Sequence, residues 1–238
     1  MKYPNDFINK IICGDCIDVM KVMPDSSVDL IITDPPYLIK YKTNYRINKS
    51  HDFCSQIKND NNPQLVAKYI HQCHRIMKNN SAMYMFLSCD NVCWFKKQLK
   101  KYFKIKNMIV WVKNHWTAGD LYSQFGKQYE LIFLVNKGKK AFNGKRITDI
   151  WLFDRVQGKK HIHQNQKPKK LIKQCILKHS NEGDIVFDGF GGVGTVAVAC
   201  KELDRKFISV EIEEKYIKLS HKRIEAAIGS NGLKRWMR

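Results

Sequence analysis

The residues with the clearest chemical potential lie in the loop Asp34-Pro35-Pro36-Tyr37, directly after an apolar run at Val28–Thr33. The two prolines fix the backbone and remove two N–H donors. Carbonyl oxygens, one carboxylate and an aromatic ring are therefore left to face a ligand. A site of this composition accepts hydrogen bonds and stacks on a flat group, which indicates a planar ring that carries an amino group. A proline turn in which Asp34 only caps the next segment is the alternative.

A second loop, residues 188–195, joins a predicted strand to a predicted helix and reads Asp-Gly-Phe-Gly-Gly-Val-Gly-Thr. Its glycines allow a ligand to approach the backbone closely. Glu211 ends the next predicted strand, where a carboxylate can hold ribose hydroxyls. Gly189, Gly191 and Gly194 also match the dinucleotide fingerprint, although glycine-rich turns without a ligand are common. The loop indicates a nucleoside-containing ligand, either a nicotinamide dinucleotide or S-adenosylmethionine.

Predicted strands and helices alternate along most of the chain, which indicates a mostly parallel, doubly wound α/β sheet covered on both faces. In such sheets, ligands bind beyond the carboxyl ends of the strands, where the strand order reverses. If the strands before Asp34 and Asp188 are neighbours there, the two loops face one crevice. The strands are predicted at residues 10–13, 28–33, 81–87, 105–112, 129–135, 185–188 and 206–211. The helices are predicted at residues 15–23, 63–77, 91–101, 168–179, 195–203 and 213–228.

Both loops resemble motifs of the amino-group DNA methyltransferases. The loop that begins at Asp34 is similar to their motif IV, which reads Asp-Pro-Pro-Tyr. Residues 188–195 are similar to motif I, usually Asp-Pro-Phe-x-Gly-Ser-Gly-Thr, with Gly189 in place of the proline and Val193 in place of the serine. Residues 163–168 resemble motif X. Three motifs of one family therefore occur in one chain.

The order of these motifs is typical of the β class, in which motif IV precedes motifs X, I and II. Glu211 matches the acidic end of motif II, and Asp15 matches a short element that precedes motif IV. The resemblance covers nearly the whole chain. It implies a Rossmann-like methyltransferase fold with a circularly permuted motif order and a seven-stranded sheet, folded as a single catalytic domain over residues 1–238.

The resemblance also implies a reaction. A methyl group would move from S-adenosylmethionine to the exocyclic N6 amine of an adenine flipped out of double-stranded DNA. Tyr37 would stack on the base, while the Asp34 carboxylate and the Pro35 carbonyl would accept hydrogen bonds from the amine. Pro36 completes the catalytic loop. Direct transfer without a covalent enzyme intermediate would follow.

The implied cofactor-binding residues come from both ends of the chain. Glu211 would bind the ribose, Asp15 would lie near the adenine of the cofactor, and Lys167 is a candidate for its methionine carboxylate. A surface lysine at the start of a helix is the alternative for Lys167. The remaining implied cofactor-binding residues are Asp188, Phe190, Gly191, Gly192, Gly194 and Thr195.

The charge balance favours a nucleic-acid partner, because the 238 residues include 42 Lys and Arg against 22 Asp and Glu, a formal net charge of +20. Residues 137–162, with the loop 38–62, lie outside the resemblance and form a candidate target-recognition insertion. His115 and Trp116 are candidates for contacts near the flipped base, although Trp116 fits a packing role equally well. The side chains considered for phosphate contacts are Lys137, Lys139, Lys140, Lys145, Arg146, Lys159 and Lys160.

Other classes of protein are disfavoured. No apolar run reaches the length of a membrane span, and the start of the chain does not read as a signal peptide. Eight cysteines are spread along the chain, and the close pairs Cys13/Cys16 and Cys89/Cys93 lack a histidine cluster. Buried reduced thiols are therefore favoured over a zinc site, and no metal is predicted. These features indicate a cytoplasmic protein without a membrane partner.

Three alternative functions stay open. Asp34 favours adenine, whereas cytosine-N4 enzymes more often carry serine there, so cytosine is the nearest alternative. A nicotinamide-dependent oxidoreductase would explain the glycine loop alone. A catalytically weak nucleic-acid-binding relative would explain Gly189 and Val193, and RNA is a conceivable substrate. The resemblance is compatible with a homodimer and with a cognate restriction enzyme in a restriction-modification system.

Overall fold

The computed structural model describes residues 1–39, 61–117, 121–157 and 166–236, with side chains described up to residue 227. Most of the predicted loop 38–62 and residues 158–165 of the predicted insertion lie outside these ranges. The described residues form an eight-stranded sheet and six α-helices. The strands are β1 Lys10–Cys13, β2 Val28–Thr33, β3 Met77–Leu87, β4 Lys104–Val112, β5 Tyr129–Lys137, β6 Ile150–Leu152, β7 Ile185–Asp188 and β8 Lys206–Glu211. The helices are α1 Cys16–Lys21, α2 Pro63–Ile76, α3 Val92–Leu99, α4 Lys169–His179, α5 Thr195–Glu202 and α6 Glu214–Trp236.

The strand order is β1-β8-β7-β2-β3-β5-β4-β6. Neighbouring strands are parallel except at β5, which runs antiparallel to both β3 and β4. The chain leaves β7 through α5 to reach β8 on one side, and leaves β2 through α2 to reach β3 on the other. Strand order therefore reverses between β7 and β2. Asp188 ends β7 and Asp34 follows β2, so the predicted adjacency of the two loops is confirmed.

The predicted α/β class is confirmed, but the sheet has eight strands in the described residues rather than seven. The additional strand, β6, pairs in parallel with the end of β4 and lies within the predicted insertion. A strand of three residues is too short to show a hydrophobic period, which is why the sequence pattern did not reveal it. The last helix, α6, continues to Trp236 instead of ending at residue 228.

Burial explains why these elements form. The central strand β2 is almost continuously apolar because both of its faces are covered, as expected for a parallel strand inside an α/β sheet. Separate apolar clusters lie on the two faces of the sheet. Helix α2 begins at Pro63, and the Asn62 side chain accepts the Leu65 N–H at 2.9 Å. The scaffold thus holds the ends of β2 and β7 rigidly beside each other.

No helix in the described part of the chain is long and apolar enough to cross a membrane. The same residues contain no group of three or more His, Cys, Asp or Glu side chains placed to hold a metal ion. Their cysteines are free thiols, of which Cys13 and Cys93 are exposed. The expectation of buried thiols is therefore wrong for these two. The buried cysteines are Cys16, Cys73, Cys175 and Cys200.

Candidate active site

The two loops singled out in the sequence border one cavity at the carboxyl ends of β2 and β7. The cavity has about 430 Å³ of empty space, part of which is open to solvent. Thr33 and Asp34 line it from β2, and Asp188 lines it from β7. The other polar and loop residues in its wall are Gln166, Lys167, Phe190, Gly191, Gly192, Val193 and Thr195.

The turn between β7 and α5 has the geometry of a ligand-binding loop. Gly194 precedes α5 in the left-handed region at φ +72°, and a Cβ there would lie 2.8 Å from the Cβ of Ser220. The Glu211 carboxylate accepts the backbone N–H of Gly192 at 2.7 Å and that of Glu213 at 2.8 Å. These bonds hold the carboxylate beside the glycine loop.

Asp188 is buried at the end of β7 and accepts the Phe190 N–H at 3.1 Å. Burial raises the pKa of this carboxyl to about 8, and the negative charges of Asp34 and Glu211 contribute to the rise. Burial therefore favours the protonated form of Asp188. A cationic ligand beside it would favour the ionised form.

Gly189 stands where the related motif has proline, and the structure supplies a steric reason. A Cβ at Gly189 would lie 2.4 Å from Cε2 of Tyr69, which is far too close. The Tyr69 hydroxyl bonds the Thr33 hydroxyl at 2.7 Å, and its ring packs edge-on against Phe190 with centroids 4.8 Å apart. The other departure, Val193, is a buried apolar side chain. Both departures are therefore explained by packing.

Asp34 belongs to a cluster of charged side chains at the carboxyl edge of the sheet. Its Oδ1 accepts the Tyr37 hydroxyl at 2.5 Å, and its Oδ2 lies 2.8 Å from Nζ of Lys167. The Lys167 Nζ also lies 3.0 Å from Oε2 of Glu130 and donates to the Tyr37 hydroxyl at 2.8 Å. Lys113 Nζ contacts Oε1 of Glu130 at 2.6 Å. We call these five residues the acid–lysine cluster.

Charge pairing decides which members of the cluster are ionised. Burial opposes ionisation of Glu130, but the ammonium groups of Lys167 and Lys113 outweigh it and lower the Glu130 pKa to about 2. Burial likewise disfavours charged Lys167, but Asp34 and Glu130 outweigh it and raise the Lys167 pKa. At Asp34 burial prevails and raises the pKa, while Lys167 opposes the rise. Lys167 therefore favours the form of Asp34 that accepts hydrogen bonds.

Not every predicted site residue lines the cavity. Asp15 caps α1 by accepting the Ile17 N–H at 2.7 Å, and the preceding Gly14 N–H donates to the Glu211 carbonyl at 3.0 Å. Asp15 therefore lies beyond Glu211, outside the cavity between Asp34 and the glycine loop. An adenine contact for Asp15 stays a prediction, and so does a methionine-carboxylate contact for Lys167.

Sequence reasoning missed three residues of the site, Lys113, Glu130 and Tyr69. Lys113 directly follows β4 and Glu130 lies at the start of β5, so each is a charged residue at the boundary of a buried strand. The same signal had singled out Asp34. The sequence did not reveal the strand order. That order places the antiparallel β5 next to β3 and brings Glu130 to the carboxyl edge of the sheet, beside Asp34.

One lysine considered for phosphate contacts has an internal role. The Lys137 Nζ donates to the carbonyl oxygens of His74 at 2.8 Å and Met77 at 2.7 Å, at the end of α2. Lys137 pairs with Ser81 near the start of β3, so it lies at the sheet edge opposite Asp34. The ammonium group of Lys137 therefore has internal partners, and a phosphate contact for Lys137 stays a prediction. Lys159, Lys160 and residues 163–165 of the motif X match lie outside the described residues.

The predicted cofactor suits the groups around the cavity. S-adenosylmethionine carries a sulfonium and an ammonium group, and Asp34 and Asp188 present carboxyl groups to the cavity. The Glu211 carboxylate borders the glycine loop, and a carboxylate at this position can accept ribose hydroxyls. The donor set therefore fits a cationic nucleoside cofactor.

Comparisons with known proteins agree with this geometry. Residues 28–222 match the N6/N4 family described as DNA methylase. The chain is 32% identical to DNA adenine methyltransferase YhdJ of Escherichia coli strain K12, over 91% of this chain and 83% of that protein. It is 30% identical to the Type II methyltransferase M.HinfI of Haemophilus influenzae, over 92% of this chain and 69% of that protein. The structure titled M1.HpyAVI-SAM complex is similar at a TM-score of 0.69 and 26% identity, over 90% of this chain and 98% of that one.

The family accounts for the Asp34 loop and the glycine loop together, whereas a nicotinamide-dependent oxidoreductase leaves the Asp34 loop unexplained. The predictions of a Rossmann-like methyltransferase fold and of an S-adenosylmethionine-dependent DNA methyltransferase are confirmed at the level of the family. The chain belongs to the family of DNA methylases that modify amino groups at N6 or N4.

Proposed function

We propose that this protein transfers a methyl group from S-adenosylmethionine to the N6 amine of an adenine flipped out of double-stranded DNA. The observation that carries the proposal is the shared cavity, in which the Asp34 loop and the glycine loop meet at the switch point of the sheet. Asp34 and the name of the relative YhdJ support adenine over cytosine N4. When bound, the cofactor supplies an electrophilic methyl carbon.

The residues of the Asp34 loop would activate the base by position. The lone pair of an exocyclic amine is delocalised into the ring, which makes the nitrogen a poor nucleophile. Hydrogen bonds from its two N–H groups to the Asp34 carboxylate and the Pro35 carbonyl favour a more tetrahedral nitrogen. Pro36 keeps the loop rigid, and Tyr37 provides a ring for stacking. Positioning in a partly dry site accounts for most of the rate in this mechanism.

The glycine loop and the ends of β1 and β8 would hold the cofactor. The Glu211 carboxylate would accept hydrogen bonds from the ribose hydroxyls of the cofactor, and Asp15 would lie near its adenine. Asp188 would face its sulfonium and ammonium groups. Lys167 would also belong to this site, because its ammonium group contacts the Asp34 carboxylate. The other proposed cofactor-binding residues are Phe190, Gly191, Gly192, Gly194 and Thr195.

The duplex would approach the carboxyl edge of the sheet. β6 ends there, because Leu152 pairs with Val112 at the end of β4. The Arg155 N–H donates to the Asn114 side chain at 3.3 Å, which joins the segment after β6 to the loop between β4 and β5. That loop carries the strongly exposed Phe125. We therefore propose target recognition by residues 150–162 with this loop and the loop 38–62, rather than by the whole of residues 137–162.

A direct assay tests the proposed reaction. Purified protein is incubated with S-adenosylmethionine and unmethylated DNA of mixed sequence, and the DNA is digested to nucleosides for mass spectrometry. We expect N6-methyladenine that is absent with Asp34→Ala. N4-methylcytosine would overturn the base assignment. Cofactor binding without any methylated nucleoside would favour a binding protein or an RNA substrate.

The biological setting is a further part of the proposal. The relative M.HinfI is named a Type II methyltransferase, which supports a restriction-modification system with a cognate endonuclease. The exposed Ile150 and Leu152 on the edge strand β6 support a homodimer. A DNA substrate favours the cytoplasm. Sedimentation of the purified protein tests the dimer, and resistance of the methylated DNA to the partner endonuclease tests the system.

A further inference from the structure

Both oxygens of the Asp34 carboxylate are already engaged by side chains. Oδ1 accepts the Tyr37 hydroxyl at 2.5 Å, and Oδ2 is 2.8 Å from the Lys167 ammonium. An exocyclic amine that approaches Asp34 therefore meets two competing donors. Each donor must retain a partner if it shifts, because a buried donor left unpaired is destabilising.

Glu130 is placed to receive the same two donors. Its Oε2 lies 3.1 Å from the Tyr37 hydroxyl and 3.0 Å from the Lys167 ammonium. Its other oxygen is held by Lys113 at 2.6 Å. One carboxylate oxygen of Glu130 thus duplicates the acceptor function of Asp34, and the second is anchored to a separate lysine.

The geometry points to Glu130 as a positioning residue for methyl transfer: it takes over the Tyr37 hydroxyl and the Lys167 ammonium when the target amine binds Asp34. This inference rests on the proposed function. Glu130 does not touch the reacting atoms in this scheme. It keeps the two donors satisfied while Asp34 turns a lone pair towards the base, and Lys113 keeps Glu130 in place.

The surroundings explain why a carboxylate is needed. The Lys167 side chain is only 7% exposed, so its charge cannot be transferred to water when it leaves Asp34. A neutral amide at position 130 would accept a hydrogen bond but would not balance the charge. Tyr37 would then remain on Asp34, and its ring would be less free to adopt a stacking position.

The test compares Glu130→Gln with Glu202→Gln. Glu202 is a matched control because it also bridges two lysines, Lys169 and Lys173, each at 2.6 Å, away from the cavity. Single-turnover methylation of mixed-sequence DNA is followed by mass spectrometry between pH 5.5 and 9, and the cofactor Kd is measured by calorimetry. We expect Glu130→Gln to lower the plateau rate about 100-fold, with cofactor Kd within twofold of wild type. The control should keep the wild-type rate.

The pH profile separates positioning from a general loss of structure. Removing the negative charge of Glu130 makes Asp34 easier to ionise, so the acid limb of the rate profile should move to lower pH while the plateau falls. A purely structural defect would lower the rate without moving the limb. Lys113→Met is the second variant, and it should lower the plateau with cofactor binding retained, so the inference stays testable if Glu130→Gln does not fold.

The inference is overturned if both cluster variants methylate within twofold of wild type, or if Glu202→Gln loses as much rate as Glu130→Gln. Failure of the proposed function has a different signature. In that case wild type yields no N6-methyladenine, or Asp34→Ala retains it. Wild-type activity that disappears with Asp34→Ala but survives both Glu130→Gln and Lys113→Met refutes only the role of Glu130.

Discussion

Two lysines with internal ammonium groups, Lys167 and Lys137, lie at opposite edges of the same sheet. Lys167 faces two carboxylates, Asp34 and Glu130, and these raise its pKa against the effect of burial. Lys137 binds two carbonyl oxygens at the end of α2, and burial lowers its pKa. Lys167 thus forms ion pairs at one edge of the sheet, whereas Lys137 caps a helix at the other edge.

The difference teaches that the type of partner decides the role of the buried Lys167 and of the half-buried Lys137. The carboxylates of Asp34 and Glu130 favour the ionised form of Lys167 and join it to the Asp34 loop. Carbonyl dipoles at the C-terminal end of a helix only satisfy hydrogen bonds and interact weakly with the charge at Lys137. The charge of Lys167 is therefore paired with carboxylates, whereas the ammonium group of Lys137 caps the end of α2.

The largest expected effect is that of Lys167→Met. The substitution leaves Asp34 and Glu130 without their shared cation, and breaking a buried pair in this way costs about 3 kcal/mol of unfolding free energy. We expect methylation by the folded protein to fall at least about 100-fold. Denaturant titration and single-turnover kinetics measure the two effects. If Lys167→Met kept the wild-type stability and methylation rate, Lys167 would not differ from Lys137 in its role.

Acid sensitivity should follow from Glu130. Its folded pKa of about 2 lies below its ordinary value of 4.5, so it stabilises the fold above pH 4.5, and this contribution is lost as the pH falls towards 2. Glu130→Gln should remove that part of the pH dependence, up to about 3 kcal/mol. Denaturant titrations at pH 5, 4 and 3 measure it. If the unfolding free energies of wild type and variant fell equally between pH 5 and pH 3, the prediction would be contradicted.

The uncharged contact between Gly189 and Tyr69 should have a smaller effect on the unfolding free energy. Gly189→Ala would press a methyl group against Tyr69, and overpacking of this kind costs about 2 kcal/mol. Tyr69→Leu combined with Gly189→Ala should cost less than the sum of the two single changes, because the clash is relieved. Thermal or chemical unfolding of all four proteins measures the coupling. Strictly additive losses would show that Tyr69 does not restrict position 189.

Lys137→Met should have the smallest effect. It removes two hydrogen bonds to the end of α2 and should lower the unfolding free energy by about 1–2 kcal/mol. The methylation rate of the folded protein should remain within twofold of wild type, in contrast to Lys167→Met. A large loss of methylation rate with normal stability would show that Lys137 contributes to the site around Asp34. Lys137 and Lys167 would then no longer differ in role.

Much of the site was readable from local sequence. The prolines beside Asp34, the glycines of residues 188–195 and the position of Glu211 reflect short-range rules about backbone freedom and strand ends. The role of Glu130 was not readable, because it depends on a contact with Tyr37, which lies 93 positions away in the chain. Lys113 enters the site only through its contact with Glu130. The three-residue strand β6 was missed since it is too short for a period.

The sequence by itself determined the alternation of strands and helices, the two chemical loops and the permuted motif order, because each depends on neighbours along the chain. Only the tertiary structure decided which charges meet. Sheet order placed β7 beside β2 and β5 beside β3, and this brought Lys167 and Glu130 to Asp34 while it sent Lys137 to the far edge. The physical reason is that strand pairing is a long-range choice driven by burial, and no local pattern records its outcome.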